Sequence, residues 1–230
     1  MSLPLVITLD GPAGAGKSSV CSALARELGY LFVDTGAFYR AVTLAALRAK
    51  ATAEADIADL AQRSEFDISK DQFDNDDDVY TIWLNGEDVT AAVRSPEVEG
   101  YVSPVAAMPT VRDILNDKYR QLAQRGRIIM AGRDIGTVVL PNADLKLYLD
   151  ASAEVRAARR VRQRLANNQP ADYEAILANL RERDLIDSTR SAAPLRQPLD
   201  AVYLNSDGMD LQQVVAAILA HIRAWAGGSR

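Results

Sequence analysis

Leu5-Val6-Ile7-Thr8-Leu9-Asp10-Gly11-Pro12-Ala13-Gly14-Ala15-Gly16-Lys17-Ser18 decides how the rest of the chain is read. The apolar run over 5–9 has the character of a buried strand, and residues 11–18 fill every position of G-x-x-x-x-G-K-[ST]. Glycines without a Cβ let successive backbone N–H groups turn inward around an anion. The helix predicted to open near Lys17 adds its own unpaired N–H groups and the positive end of its dipole. Lys17 then reaches the β- and γ-phosphates of a nucleotide, and the Ser18 hydroxyl is placed to ligate Mg²⁺. The stretch predicts a strand, loop and helix that bind a nucleoside triphosphate.

Composition narrows the setting. With 230 residues, 48% of them hydrophobic, the chain can bury a full core without staples. No apolar run approaches the roughly 18 residues of a membrane span, and Met1-Ser2-Leu3-Pro4 does not read as a signal peptide. The single cysteine, Cys21, excludes an internal disulfide and suits a reducing cytoplasm; its place behind the phosphate loop predicts buried packing. One histidine, His221, argues against a Ser-His-Asp hydrolase and against a His-rich metal site.

The net charge of −5 is unevenly spread. Residues 64–99 hold eleven carboxylates against Lys70 and Arg94, whereas Arg156, Arg159, Arg160, Arg162 and Arg164 crowd one short stretch. Arginine supplies 21 of the 26 cations, which favours bidentate binding of phosphate or carboxylate. Nucleic-acid binding would call for a basic stripe on a basic domain, and the overall acidity argues against it and for a small, phosphate-rich molecule.

Outward from the loop, strand and helix patterns alternate. Strands are predicted over 4–10, 30–34, 127–132, 144–150 and 201–205, with helices over 17–28 and 36–50. The order predicts an α/β, three-layer P-loop NTPase fold with a mostly parallel five-stranded sheet and ligands at the carboxyl ends of its strands. The stretches 66–69 and 79–86 read as an antiparallel β insert, so 63–100 is expected to form a small subdomain within a core of 1–62 and 101–230. Between them, the acidic run 70–78 has neither the sixth-position glycine nor the closing glutamate of an EF-hand. It is expected to be a solvated loop tip.

Four further groups carry chemistry. Asp34-Thr35-Gly36 ends a strand and opens a helix, where Thr35 is placed to cap the helix and Arg40 sits one turn on. Arg133-Asp134 follows a buried strand at the end where this architecture binds ligands. Arg183, Asp187 and Arg190 share one helix face, a pattern shared by a ligand site and by a surface salt-bridge ladder. Arg156, Arg159 and Arg160 also share a face, and 167–170 beyond them reads as the tip of a short helical lid, about 156–171. No N-K-x-D or D-x-x-G is present, which argues against a regulatory GTPase. These residues alone leave the acceptor open among nucleoside monophosphates and other small molecules.

Together these motifs resemble the bacterial-type cytidylate (CMP) kinases of the nucleoside monophosphate kinase superfamily, over nearly the whole chain. The marks are residues 11–19, 34–40 (Asp-Thr-Gly-Ala-Phe-Tyr-Arg) and 132–139 (Gly-Arg-Asp-Ile-Gly-Thr-Val-Val), and Arg183-Asp184 with Asp187 and Arg190. The resemblance implies phosphoryl transfer from ATP to CMP or dCMP, with the insert at 63–100 as an enlarged monophosphate-binding subdomain. It implies that Gly11, Pro12, Ala13, Gly14, Ala15, Gly16, Lys17, Ser18 and Ser19 hold the ATP phosphates, with Ser18 on Mg²⁺. Thr35, Arg40, Arg133 and Arg190 would hold the acceptor phosphate, Ser103, Arg112 and Asp134 would read cytosine, and Arg183 and Asp187 would contact the ribose. Lys17, Arg133, Arg156 and Arg160 would be catalytic. The expectation is a cytoplasmic monomer that takes small-molecule substrates and neither nucleic acid nor membrane.

Overall fold

The computed structural model describes residues 3–69, 80–190 and 192–228. Two compact units divide the chain: Met1–Tyr30 with Ile129–Arg230, and Leu31–Ile128. The second contains the whole of 63–100, and the acidic run 70–78 lies outside the described residues.

Five strands make the main sheet: β1 (Val6–Asp10), β2 (Leu31–Asp34), β6 (Ile128–Gly132), β7 (Leu145–Asp150) and β8 (Val202–Asn205). Their order is β2-β6-β1-β7-β8, and the β1–β7 and β7–β8 pairs are parallel, with Ile7 opposite Leu145 and Leu147 opposite Val202. Every residue of β6 is buried, as are Ile7, Leu9, Leu147 and Leu149, which is why these segments read as unbroken apolar runs.

In the first unit, α1 (Lys17–Leu28) turns Val20, Cys21 and Leu24 inward and ends at Gly29 in the left-handed region, φ 69°. It packs with α8 (Leu211–Ala226), whose start is fixed by a capping box between Asp210 and Gln213. Helices α6 (Ala153–Ala166) and α7 (Tyr173–Thr189) form a hairpin, capped by Ser152 and Asp172. Ala157, Ile176, Leu177 and Leu180 enclose Ala13 of the phosphate loop, so the hairpin supports that loop from behind.

The second unit opens with β2 and α2 (Thr35–Ala49), followed by α3 (Glu54–Arg63), α4 (Pro96–Ala107) and α5 (Pro109–Ala123). Its own antiparallel sheet runs β3 (Phe66–Ser69), β4 (Thr81–Leu84) and β5 (Glu87–Asp88). The strand predicted over 79–86 stops early. Asn85 and Gly86 have φ of 52° and 79°, the left-handed pair of a type I′ turn, and the chain doubles back into a third strand. Val79 itself lies outside the described residues. Phe38 of α2 meets Tyr119 of α5 edge to face at 5.4 Å and Phe66 at 5.4 Å, which joins helices and small sheet in one core.

Thr35 does not cap α2. Asp34 does, its carboxylate accepting from Gly36 N–H at 2.9 Å, while Thr35 is the first helical residue and is buried. The carboxylate at the end of β2 already meets the first free N–H of the helix, so a hydroxyl one residue later has no cap to fill.

Candidate active site

The donor side is built by the turn between β1 and α1. Gly11 has φ 151°, and a Cβ there would lie 2.0 Å from the Leu149 carbonyl oxygen, so only glycine lets the loop leave β1 beside β7. Gly16 occupies the N-cap of α1 in the left-handed region, and having no side chain it leaves the helix N–H groups to a bound anion. Lys17 is buried, its ammonium donating to the carbonyl oxygens of Gly11 at 2.7 Å and Pro12 at 2.8 Å. Ser18 and Ser19 follow in the first turn of α1.

Arg156 departs from the expectation of a lid cation that faces the donor phosphates. Its side chain is only 4% exposed, donating to Ala13 O at 2.9 Å, Ala151 O at 2.9 Å and both Asp184 oxygens at 3.1 and 2.5 Å. Packing of α6 against α7 turns this residue inward and commits its donors to shaping the loop. Arg159 does similar work one turn on, donating to Ala15 O and to Ser206 O and Oγ at the end of β8. Arg160 is exposed on the same helix.

At the carboxyl end of β6 the first unit gathers four predicted residues. Arg133 Nε donates to Asp187 Oδ2 at 2.5 Å, Arg190 lies 3.7 Å from Asp187 Oδ1, and Arg190 lies 3.6 Å from Asp134 Oδ1. The result is an alternating chain Arg133, Asp187, Arg190, Asp134, whose guanidiniums are held in place before any acceptor arrives. Arg190 is further fixed by donating to Ala193 O at 2.8 Å. Arg183 sits on α7 one turn before Asp187 and is half-buried.

The second unit carries the rest. Thr35 is buried at the start of α2, and Arg40 Nη1 lies 3.9 Å from the Cβ position of Gly36, over the opening turn of the helix. Arg112 is buried, with its guanidinium 5.5 Å from the centre of the Tyr39 ring and donating to Ala106 O at 3.0 Å. Ser103 is exposed on α4.

Three contributors were given no role by the sequence reading. Tyr80 donates to Asp34 Oδ2 at 2.7 Å, and burial, then the neighbouring Asp34 charge, push its phenol well above the usual range. Asp184 holds Arg156. Asp10 is fully buried at the end of β1, accepting from the N–H groups of Ile135 at 2.8 Å and Gly136 at 2.7 Å. Burial raises the Asp10 carboxyl to about 6, with Asp134 adding to the rise and the two N–H groups and Lys17 opposing it. The rule that singled out Arg133-Asp134, a charged residue ending a buried strand, applies equally to Asp10.

A family model described as cytidylate kinase matches residues 7–224. The chain belongs to the cytidylate kinase family. It is 46% identical over 224 residues to a cytidylate kinase of Mycobacterium leprae (strain Br4923), covering 97% of each chain. A cytidylate kinase of Pasteurella multocida (strain Pm70) is 42% identical over 223 residues, again covering 97% of each. Among solved structures, a gluconokinase from Sinorhizobium meliloti 1021 superimposes with a TM-score of 0.50 at 15% identity, covering 99% of this chain and 96% of that one. At that identity the likeness concerns the fold alone. Among the described residues no helix is long and apolar enough to cross a membrane, and no group of three or more His, Cys, Asp or Glu side chains could hold a metal.

Proposed function

We propose that this chain transfers the γ-phosphoryl group of ATP to the 5′-phosphate of CMP or dCMP, yielding ADP with CDP or dCDP. Membership of the cytidylate kinase family supports this reading. The observation that carries it in the structure is the alternating chain Arg133, Asp187, Arg190, Asp134 at the end of β6, beside a complete phosphate loop in the same unit.

The chemistry follows from charge. An oxygen of the acceptor phosphate bonds to the γ-phosphorus while the bond to the β,γ-bridging oxygen breaks. The attacking oxygen already belongs to an ionised phosphate, so no strong general base is required and positioning with charge stabilisation suffices. Lys17 and the N–H groups opening α1 would hold the β- and γ-phosphates. Mg²⁺, held by Ser18 and phosphate oxygens, would withdraw charge from the transferring group.

Thr35, Arg40, Arg133 and Arg190 would bind the acceptor phosphate, Arg183 and Asp187 the ribose, and Ser103, Arg112 and Asp134 the base. Arg160 and the turn at 167–170 would close as a lid, with 63–100 as the monophosphate-binding subdomain, excluding water as a competing acceptor. Arg156 acts through the loop it supports. The protein would work as a cytoplasmic monomer without nucleic acid or membrane.

A coupled ADP-release assay with ATP, Mg²⁺ and each nucleoside monophosphate in turn tests the reading. CMP and dCMP should be the best acceptors. Strong turnover of AMP or GMP with none of CMP would overturn it.

A further inference from the structure

Asp10 is a fully buried carboxylate that binds no substrate in the mechanism above, yet it stands between the two halves of the site. On one side it is bonded directly to Gly11, the first residue of the phosphate loop. On the other, both of its oxygens accept backbone N–H groups, from Ile135 at 2.8 Å and Gly136 at 2.7 Å, the two residues that follow Arg133-Asp134. That segment is an irregular turn of π-helix over Ile135–Val139, in which Val139 and Leu140 bond back five residues to Asp134 and Ile135. Such a turn leaves its first N–H groups without helical partners, and Asp10 accepts two of them.

The fit is tight. A Cβ on Gly136 would lie 2.9 Å from Thr8 Oγ1, 3.0 Å from Pro198 Cγ and 3.2 Å from Asp10 Oδ2, so the turn is seated directly on the end of β1. Asp10 is held there ionised at neutral pH against its own burial, which is a costly way merely to fill a core.

We infer that Asp10 is a positioning residue that holds Arg133 and Asp134 in register with the phosphate loop. It acts on the acceptor through the Ile135–Gly136 backbone and touches neither substrate. The inference rests on the assignment of Arg133 and Asp134 to the acceptor. The charged and titratable groups around Asp10 are Lys17 at the start of α1, Asp134, and Tyr148, its partner in the β1–β7 register. Both Asp10 oxygens accept a backbone N–H, and protonation turns one of them into an O–H that opposes its N–H partner, so the tether should loosen on the acid side, near pH 6.

Asp10→Asn in the full chain is the test. The amide keeps one acceptor oxygen and turns an NH₂ toward the other N–H. We expect kcat/KM for CMP to fall about 10- to 100-fold, the scale of one or two charge-assisted hydrogen bonds, with the KM for ATP changed less than about 2-fold. The fall in CMP turnover between pH 7 and 5.5 should be shallower in the variant than in the wild type, since both enzymes share the same substrate titrations. Gly136→Ala, which displaces the same turn from the other side, should reproduce the selective loss and decides the matter if Asp10→Asn does not fold. Wild-type CMP kinetics in a folded Asp10→Asn variant would overturn the inference. So would equal losses for ATP and CMP in both variants, or an unchanged acid limb. Wild-type enzyme that turns over no CMP would instead sink the acceptor assignment, a separate failure.

Discussion

Tyr80 and Asp34, 46 residues apart, share a 2.7 Å hydrogen bond, and the second Asp34 oxygen caps α2 through Gly36 N–H at 2.9 Å. The small β-sheet region thereby grips the turn that presents Thr35 and Arg40. Tyr80 also stacks edge to face on Phe32 of β2 at 5.3 Å, so its ring has a seat independent of its hydroxyl.

Tyr80→Phe should therefore keep the fold and lose one bond to a charged acceptor, worth about 1.5–3 kcal/mol. The KM for CMP should rise roughly 5- to 20-fold with the KM for ATP unchanged. Steady-state kinetics with each substrate varied in turn provide the check, and a variant altered only in melting temperature would contradict it.

Lys17→Ala and Arg133→Ala should each lower kcat by at least ~10², the scale of losing one preorganised donor. Near wild-type turnover in either purified, folded variant would remove that residue from the mechanism. A double-mutant cycle with Asp187→Ala should show coupling to Arg133, because the two side chains meet at 2.5 Å with 24% and 16% exposure.

Arg156→Ala should behave unlike Arg160→Ala. Removal of the buried guanidinium strands Asp184 and the Ala13 and Ala151 carbonyls, costing about 3–5 kcal/mol in unfolding experiments, and the ATP affinity should drop with it. Arg160 is exposed, and its loss should reduce turnover with little change in denaturant midpoint.

The pH dependence of stability carries a sign. Asp10 has a folded value near 6 against an ordinary 3.8, so the native state takes up a proton that the unfolded chain releases. Its contribution favours folding most below pH 4 and is lost as the pH rises through 6. Between pH 4 and 7 the unfolding free energy of wild type relative to Asp10→Asn should fall by about 3 kcal/mol. Urea titrations at several pH values measure it; a difference that rises with pH would refute the assignment.

What could be read from the sequence was local. The phosphate loop is eight consecutive residues, and Asp187 and Arg190 are related by helix periodicity alone, so spacing sufficed for both. The missed contacts are distant in the chain: Asp10 meets Ile135 across 125 residues, and Arg156 meets Asp184 across 28. The arginines of α6 read as a lid facing the donor phosphates until α7 is known to pack against that helix, and only then does Arg156 become a buried strut. The β4–β5 turn was the exception, because Asn85-Gly86 is a local signal that was overrun by the apolar reading of 79–86.

Cys21, the only thiol in the chain, is wholly buried on the inner face of α1, directly behind the phosphate loop. A cysteine introduced at an exposed position, such as Gln169 beyond α6, would be the one thiol open to a fluorophore in the native protein. Closure of the proposed lid could thus be tested in an otherwise unaltered chain, while the slow labelling of Cys21 would time the opening of the core around α1.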